Sequence, residues 1–102
     1  MLRDTIIARL RAHEAELKAS GVISLSLFGS VARGEERPDS DVDVVIRFSD
    51  AASHEGFAWF GRLDALTHQL KEIVGRPVDV VTEPVRKARL RSAIEKESAR
   101  AF

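Results

Sequence analysis

The stretch that decides the reading runs from Leu27 to Ile46: Leu27-Phe28-Gly29-Ser30, ten residues, then Asp41-Val42-Asp43-Val44-Val45-Ile46, in one-letter form LFGSVARGEERPDSDVDVVI. Its second half is an apolar run interrupted by two acids. Strands are depleted in Asp, yet here two aspartates stand in, or at the mouth of, the strand predicted over 42–48 (VDVVIRF). At positions i and i+2 their side chains leave the same face, with Cα atoms roughly 6.5–7 Å apart. Two carboxylates that close repel one another, and partial burial worsens the repulsion. A divalent cation resolves the conflict, and hard carboxylate oxygens are what Mg²⁺ prefers, completed by water and substrate phosphates.

Working outward, the residues before Gly29 read as another strand, VISLSLF at 22–28. Simple alternation puts Val22, Ser24, Ser26 and Phe28 on one face and Ile23, Leu25 and Leu27 on the other. Gly29 permits a tight strand-to-helix turn in which backbone approaches a ligand closely. The N–H groups of a short helical turn near Ser30 to Arg33, with the Ser30 hydroxyl, suit a phosphate. Arg33 adds a charged contact to a β- or γ-phosphate. The loop is not a P-loop, because GSVARG lacks the terminal Gly-Lys-Ser/Thr.

A third acid fits the same picture. Asp79 lies inside Val78-Asp79-Val80-Val81, a short predicted third strand. If that strand lies beside the second, Asp79 faces Asp41 and Asp43 across it. Three acids on one sheet face hold two metal ions, or one metal plus a general base, and two metals serve an in-line displacement by activating the attacking oxygen and stabilising a leaving pyrophosphate. Taken singly each piece has an ordinary reading. A lone Asp-x-Asp is common, turns use Gly and Ser routinely, and Asp79 alone could pair with Arg76. The ordered combination is the specific signal.

The remaining chain supplies helices. Leu2, Ile6, Leu10, His13 and Leu17 recur at spacings of three and four and predict one helix over 2–19, with Gly21 after it; His13 on that stripe reads as a packing or partly exposed residue, distant in sequence from His54 and His68. Residues 49–56 (SDAASHEG) read as a loop. A long helix is predicted over 56–74 with Phe57, Phe60, Leu63, Ala65, Leu66, Leu70 and Ile73 on its apolar face, ended by Gly75-Arg76-Pro77, and Trp59 and Phe60 read as core. Glu83-Pro84 is a turn. A last helix over 85–99 turns Val85, Leu90, Ile94 and Ala93 inward. From Arg86 to Arg100 six basic residues stand against two acidic ones, a local charge of +4 that reads as a solvated face. The order αβ(α)βαβα suggests an α/β chain with one sheet covered by helices, and the short link between the first two strands does not require them to be parallel.

Composition sets bounds. The 102 residues fit a single domain, 1–102, with 44% apolar content and one modest core. Sixteen basic and sixteen acidic residues give a net charge of zero, which argues against binding long nucleic acid by electrostatics but not against binding one nucleotide. There is no Cys, so no disulfide framework and no Cys-ligated zinc. No stretch approaches ~20 apolar residues, so no membrane span is expected, and a cytoplasmic location is.

The pattern Gly-Ser, ten residues, Asp-x-Asp resembles the nucleotidyltransferase superfamily of DNA polymerase β, and the fuller string LFGSVARGEERPDSDVDVVI resembles its smallest bacterial and archaeal branch, the minimal nucleotidyltransferases, over essentially the whole chain. The resemblance implies an α+β fold with a small mixed sheet flanked by helices, like the polymerase β palm. It implies metals on Asp41 and Asp43, Asp79 as third carboxylate, and Gly29 and Ser30 gripping a triphosphate. Members of that branch act as antitoxins that transfer AMP from ATP to a tyrosine of a HEPN-family ribonuclease toxin. The implied partners are therefore Mg²⁺, two ions by this reading, ATP, and a HEPN toxin in a hetero-oligomer. The chain has no Tyr and so is not its own tyrosine acceptor. Two other functions compete: an antitoxin that masks its partner by binding alone, and nucleotidyl transfer to a small molecule such as an aminoglycoside, which is disfavoured because such enzymes carry a further domain for the acceptor.

Overall fold

A computed structural model describes residues 2–35, 37, 40–49, 56–83 and 85–102, with the side chains of 56–60 outside that description. Four strands form one mixed sheet in the order β3-β2-β1-β4. β1 (Val22–Phe28) and β2 (Val42–Phe48) are antiparallel, as their short connection allows. β3 (Val78–Thr82) runs parallel to β2, because the chain between them crosses over through a 19-residue helix, α4 (Gly56–Val74).

The first helical segment is two helices rather than the expected one, α1 (Leu2–Ala12) and α2 (Glu14–Ala19). His13 makes the break. Its ring Nδ1 lies 2.9 Å from the Arg9 carbonyl, which only accepts, so Nδ1 carries the proton there. The ring takes the carbonyl that the His13 N–H would use in a regular helix, and that N–H bonds Leu10 instead, at 3.1 Å. The apolar stripe survives, since Ile6, Leu10 and Leu17 are buried.

β1 departs from simple alternation. Val22 pairs with Phe48 and Ser24 with Arg47, so two steps on β1 oppose one on β2, a bulge that inserts Ile23. Val22 thereby joins Leu25 and Leu27 in the core, and Ile23 is 46% exposed. Alternation cannot anticipate this, because the register is set by the partner strand.

One face of the sheet carries the main core. Ile6, Leu10 and Leu17 from α1 and α2, with Leu66, Leu70 and Val74 from α4, pack on Val42, Val44 and Ile46 of β2 and Leu25 and Leu27 of β1. Each fully buried aliphatic side chain contributes about 1.5–3 kcal/mol of transfer free energy. Ala65, expected on the apolar face of α4, is exposed instead, since one residue before Leu66 it is turned about 100° round the helix from it. Phe57, Trp59 and Phe60 have side chains outside the described ones, and the loop before α4 (with His54) and Pro84 also lie outside the described residues.

The opposite face is covered only in part. α5 (Ala88–Glu97) presses Ile94 on Phe28 and Val45, with Val81, Val85 and Leu90 packed around them. Val85, Leu90 and Ile94 face inward as the periodicity predicts, but the helix is shorter than 85–99. Ser98 has extended backbone (φ −77°, ψ 146°), and Ala99–Arg100 form β4, antiparallel to Leu27 and Ser26. The Leu25 backbone continues the pairing with Ala101 and Phe102. Two residues are too short for any strand period, so β4 exists because β1 has an unpaired edge to fill.

Candidate active site

The register brings the sequence-singled residues together. Phe28 pairs with Asp43 across β1 and β2, and Asp43 pairs with Asp79 across β2 and β3. Neighbouring strands stand about 4.8 Å apart, and paired residues share a face. Asp43 and Asp79 are therefore adjacent on the partly covered face, with Asp41 two residues back along the same line, just before β2 begins. Asp43 is half-buried, whereas Asp41 and Asp79 are exposed. Asp79 does not pair with Arg76: among the described residues it forms no ion pair, and Arg76 turns to the backbone carbonyls of Arg37 and Ser40.

Because Phe28 is opposite Asp43, the next residue, Gly29, lands against the Asp43 carboxylate. A Cβ at this position would collide with Oδ2 and stand 3.3 Å from Cγ. Gly29 also has φ +74°, in the left-handed region. Two independent reasons therefore fix glycine at the foot of α3 (Gly29–Arg33). Ser30 follows, half-buried, and its carbonyl accepts the Glu35 N–H at 2.9 Å. Gly34 closes the helix in the left-handed conformation, φ 72°.

Electrostatics single out Asp43. Burial raises its pKa above the ordinary carboxylate value, the charges of Asp79 and Asp41 raise it further, and Arg33 pulls it partly back. A half-buried acid between two others is poorly disposed to carry its own charge, and a bound cation would remove that penalty. The donor set is oxygen-only and carboxylate-rich, which suits Mg²⁺ and excludes soft metals. Among the described residues no three His, Cys, Asp or Glu side chains close into a ready cage. That is compatible with the way Mg²⁺ is commonly held, by one or two carboxylates with the rest of its shell from water and phosphate oxygens.

Arg33 stands at the end of α3 with its guanidinium on Glu97 (Nη1 to Oε2, 2.8 Å) and Glu35 (Nε to Oε2, 3.1 Å). Hydrogen bonds to Glu97 first and Glu35 second raise its pKa, so it is a permanent cation tying α3 to α5. Nothing in the sequence linked Arg33 to a residue 64 positions away. Within the acid row Asp41 and Asp79 are exposed and Asp43 is half-buried. Clefts of about 200 Å³ (Ser20, Phe48, Arg62, Leu66) and about 500 Å³ (Arg9, His13, Glu72) lie along α4, and one of about 270 Å³ (Glu83, Val85, Arg91, Ile94) lies at α5.

Comparison with known proteins places this arrangement. The model of the nucleotidyltransferase domain matches residues 10–101. The chain belongs to the nucleotidyltransferase domain family. It is 36% identical over 88 residues to the protein adenylyltransferase MntA of Thermococcus cleftensis, covering 85% of this chain and 79% of that one. A relative in Methanocaldococcus jannaschii, provisionally named a protein adenylyltransferase, is 36% identical over 75 residues, 72% of this chain and 71% of the relative. Among solved structures, a minimal nucleotidyltransferase superposes with a TM-score of 0.76 at 31% identity, covering 97% of this chain and 95% of that one. A toxin–antitoxin crystal structure with AMP-PNP superposes with a TM-score of 0.64 at 19% identity, over 100% of this chain and 73% of that one, a likeness of fold. The mixed sheet with flanking helices is thus the fold of a minimal nucleotidyltransferase, and the chain is an enzyme of that class. No helix among the described residues is long and apolar enough to cross a membrane.

Proposed function

We propose that this nucleotidyltransferase transfers AMP from ATP, with Mg²⁺, to a tyrosine hydroxyl of a HEPN-family ribonuclease toxin and acts as that toxin's antitoxin. The observation that carries the reading is the Phe28–Asp43–Asp79 register, which sets Gly29 against the middle acid. Support for a protein acceptor comes from the adenylyltransferase relatives. Support for the partner comes from the shared fold with the MNT antitoxin that was crystallised with a tri-AMPylated HEPN toxin of Shewanella oneidensis (TM-score 0.62, 14% identity).

In the reaction the acceptor oxygen attacks the α-phosphorus, the bond from that phosphorus to the bridging oxygen of the β-phosphate breaks, and pyrophosphate leaves in line. Asp41, Asp43 and Asp79 are the residues that would hold Mg²⁺. Bound there, Mg²⁺ supplies charge neutralisation for the phosphates and the departing pyrophosphate. Gly29 lets backbone pass close to the triphosphate, and Ser30 offers its hydroxyl to it. Arg33, proposed from the sequence as a phosphate contact, has its guanidinium on Glu97 and Glu35, so a phosphate would have to displace one of those carboxylates to use it. In the alternative with one metal on Asp41 and Asp43, Asp79 serves as the general base that takes the proton of the incoming hydroxyl, a role supported by its exposure and by its having no ion pair among the described residues. The exposure of Asp41 and Asp79 leaves the acceptor side open, so the acceptor protein itself contributes the opposite wall.

The test is intact mass of the adjacent gene's product and of a HEPN-family toxin, each after incubation with the enzyme, Mg²⁺ and ATP. The expected result is a gain in whole AMP units that is absent with Asp41→Asn/Asp43→Asn. A stable complex with no gain in mass would replace transfer by neutralisation through contact.

A further inference from the structure

We infer that Arg76 is a positioning residue for Asp41. The inference rests on the reading of Asp41 as a metal ligand. Asp41 is exposed, lies outside β2, and has like-charged neighbours in Asp43 and Asp79. Neither burial nor an ion pair among the described residues holds it in place. Its position must come from its backbone.

On the strand side the ladder takes hold one residue later, where the Val42 N–H donates to the Pro77 carbonyl at 2.9 Å. On the loop side Arg37 and Ser40 are bonded to each other twice. The Arg37 N–H donates to Ser40 Oγ at 2.7 Å and the Ser40 N–H donates to the Arg37 carbonyl at 2.9 Å. Arg76 Nη1 then reaches the carbonyls of both residues, 3.3 Å from Arg37 O and 3.5 Å from Ser40 O. The Ser40 carbonyl belongs to the peptide that joins Asp41, so shifting it rotates the Asp41 side chain. Arg76 itself sits between Gly75 and Pro77, three residues before Asp79. One half-buried guanidinium therefore ties the approach to Asp41 to the segment that delivers Asp79. Its contacts are with peptide carbonyls, so it acts on the approach to Asp41 through the backbone.

Geometry sets the variants. A planar guanidinium reaches two carbonyls from one nitrogen in a fixed orientation, whereas a lysine ammonium keeps the charge on a freely rotating stem. The experiment measures Mn²⁺ bound to the intact protein with α,β-methylene-ATP, by the electron paramagnetic resonance of free Mn²⁺, for wild type, Arg76→Ala, Arg76→Lys and Asp41→Asn, alongside melting curves. Loss of a partner that orients a metal ligand weakens metal affinity roughly 10-fold or more. The expected result is that loss in Arg76→Ala, a smaller one in Arg76→Lys, and a matching rise in the Mg²⁺ half-saturation of AMP transfer with kcat recovered at high Mg²⁺. Wild-type Mn²⁺ affinity in Arg76→Ala, or in Arg76→Lys should the alanine variant not fold, overturns the assignment even if melting is lowered. Equal affinity in wild type and Asp41→Asn would overturn the ligand reading of Asp41 and with it the role of Arg76, a signature distinct from the first.

Discussion

Val42, Val44 and Ile46 of β2 are wholly buried under α1, α2 and α4, whereas the residues of the alternate set meet three different surroundings: Asp43 is half-buried among acids, Val45 is covered by α5, and Arg47 is exposed. One face of a single strand thus builds the core, and the other builds the proposed site at one end and a small second core in its middle. The difference is physical. A dry face gains from every methyl group placed on it, while a face that must hold ion and phosphate has to keep polar groups half-solvated and tolerate their repulsion. Substitutions at even and odd positions of β2 should therefore separate stability from chemistry.

The largest effect is expected at the odd position. Asp43→Asn should lower AMP transfer on the order of 1,000-fold, since a metal's charge stabilisation amounts to several kcal/mol. Its melting temperature should equal or exceed that of wild type without metal, because the buried repulsion is gone. Steady-state rates and calorimetry on the same preparation check both halves. The even position should behave in reverse. Ile46→Ala is expected to cost about 2–5 kcal/mol in urea unfolding, while the rate per folded molecule stays within a few-fold of wild type.

Gly29→Ala joins the two behaviours, because the added Cβ strikes the Asp43 carboxylate and the backbone must hold φ +74°. A loss of about 1–2 kcal/mol should accompany a loss in activity of at least about 10-fold. An alanine variant with wild-type rate would show that Asp43 need not stay where the fold puts it.

The smallest effect is the pH dependence of stability without metal. Asp43 binds its proton more tightly folded than unfolded, since burial, Asp79 and Asp41 raise its pKa. Its contribution therefore favours the fold below the ordinary carboxylate value and is lost as pH rises through the raised folded value. Melting curves from about pH 4 to about pH 7 should show Asp43→Asn gaining on wild type as pH rises. Parallel curves would mean that Asp43 is not destabilised by its neighbours.

What the sequence disclosed follows the same division. The acid pair in an apolar strand, Gly29-Ser30 at the end of another, and the 56–74 helix ended by Gly75 were legible because each is a local pattern of period two or 3.6 with a turn residue at its end. The placement of Asp79 beside Asp43 was legible only as a condition, and the parallel β2–β3 register meets it. The break at His13, the bulge at Ile23 and the Ala99–Arg100 strand were not legible. Each is decided by a partner elsewhere in the chain, respectively a carbonyl taken by a ring, the register of β2, and the open edge of β1. The grip of Arg76 on Ser40, 36 residues away, belongs with them.

The most direct test of nucleotidyl transfer is the fate of label from ATP carrying radioactive phosphorus at either the α or the γ position, incubated with enzyme, Mg²⁺ and toxin. The α label should become covalently attached to the toxin, the γ label should leave as pyrophosphate, and Asp43→Asn should attach neither. Attachment of the γ label, or α labelling undiminished in Asp43→Asn, would contradict the assignment of the Asp41–Asp43–Asp79 row as the site of AMP transfer.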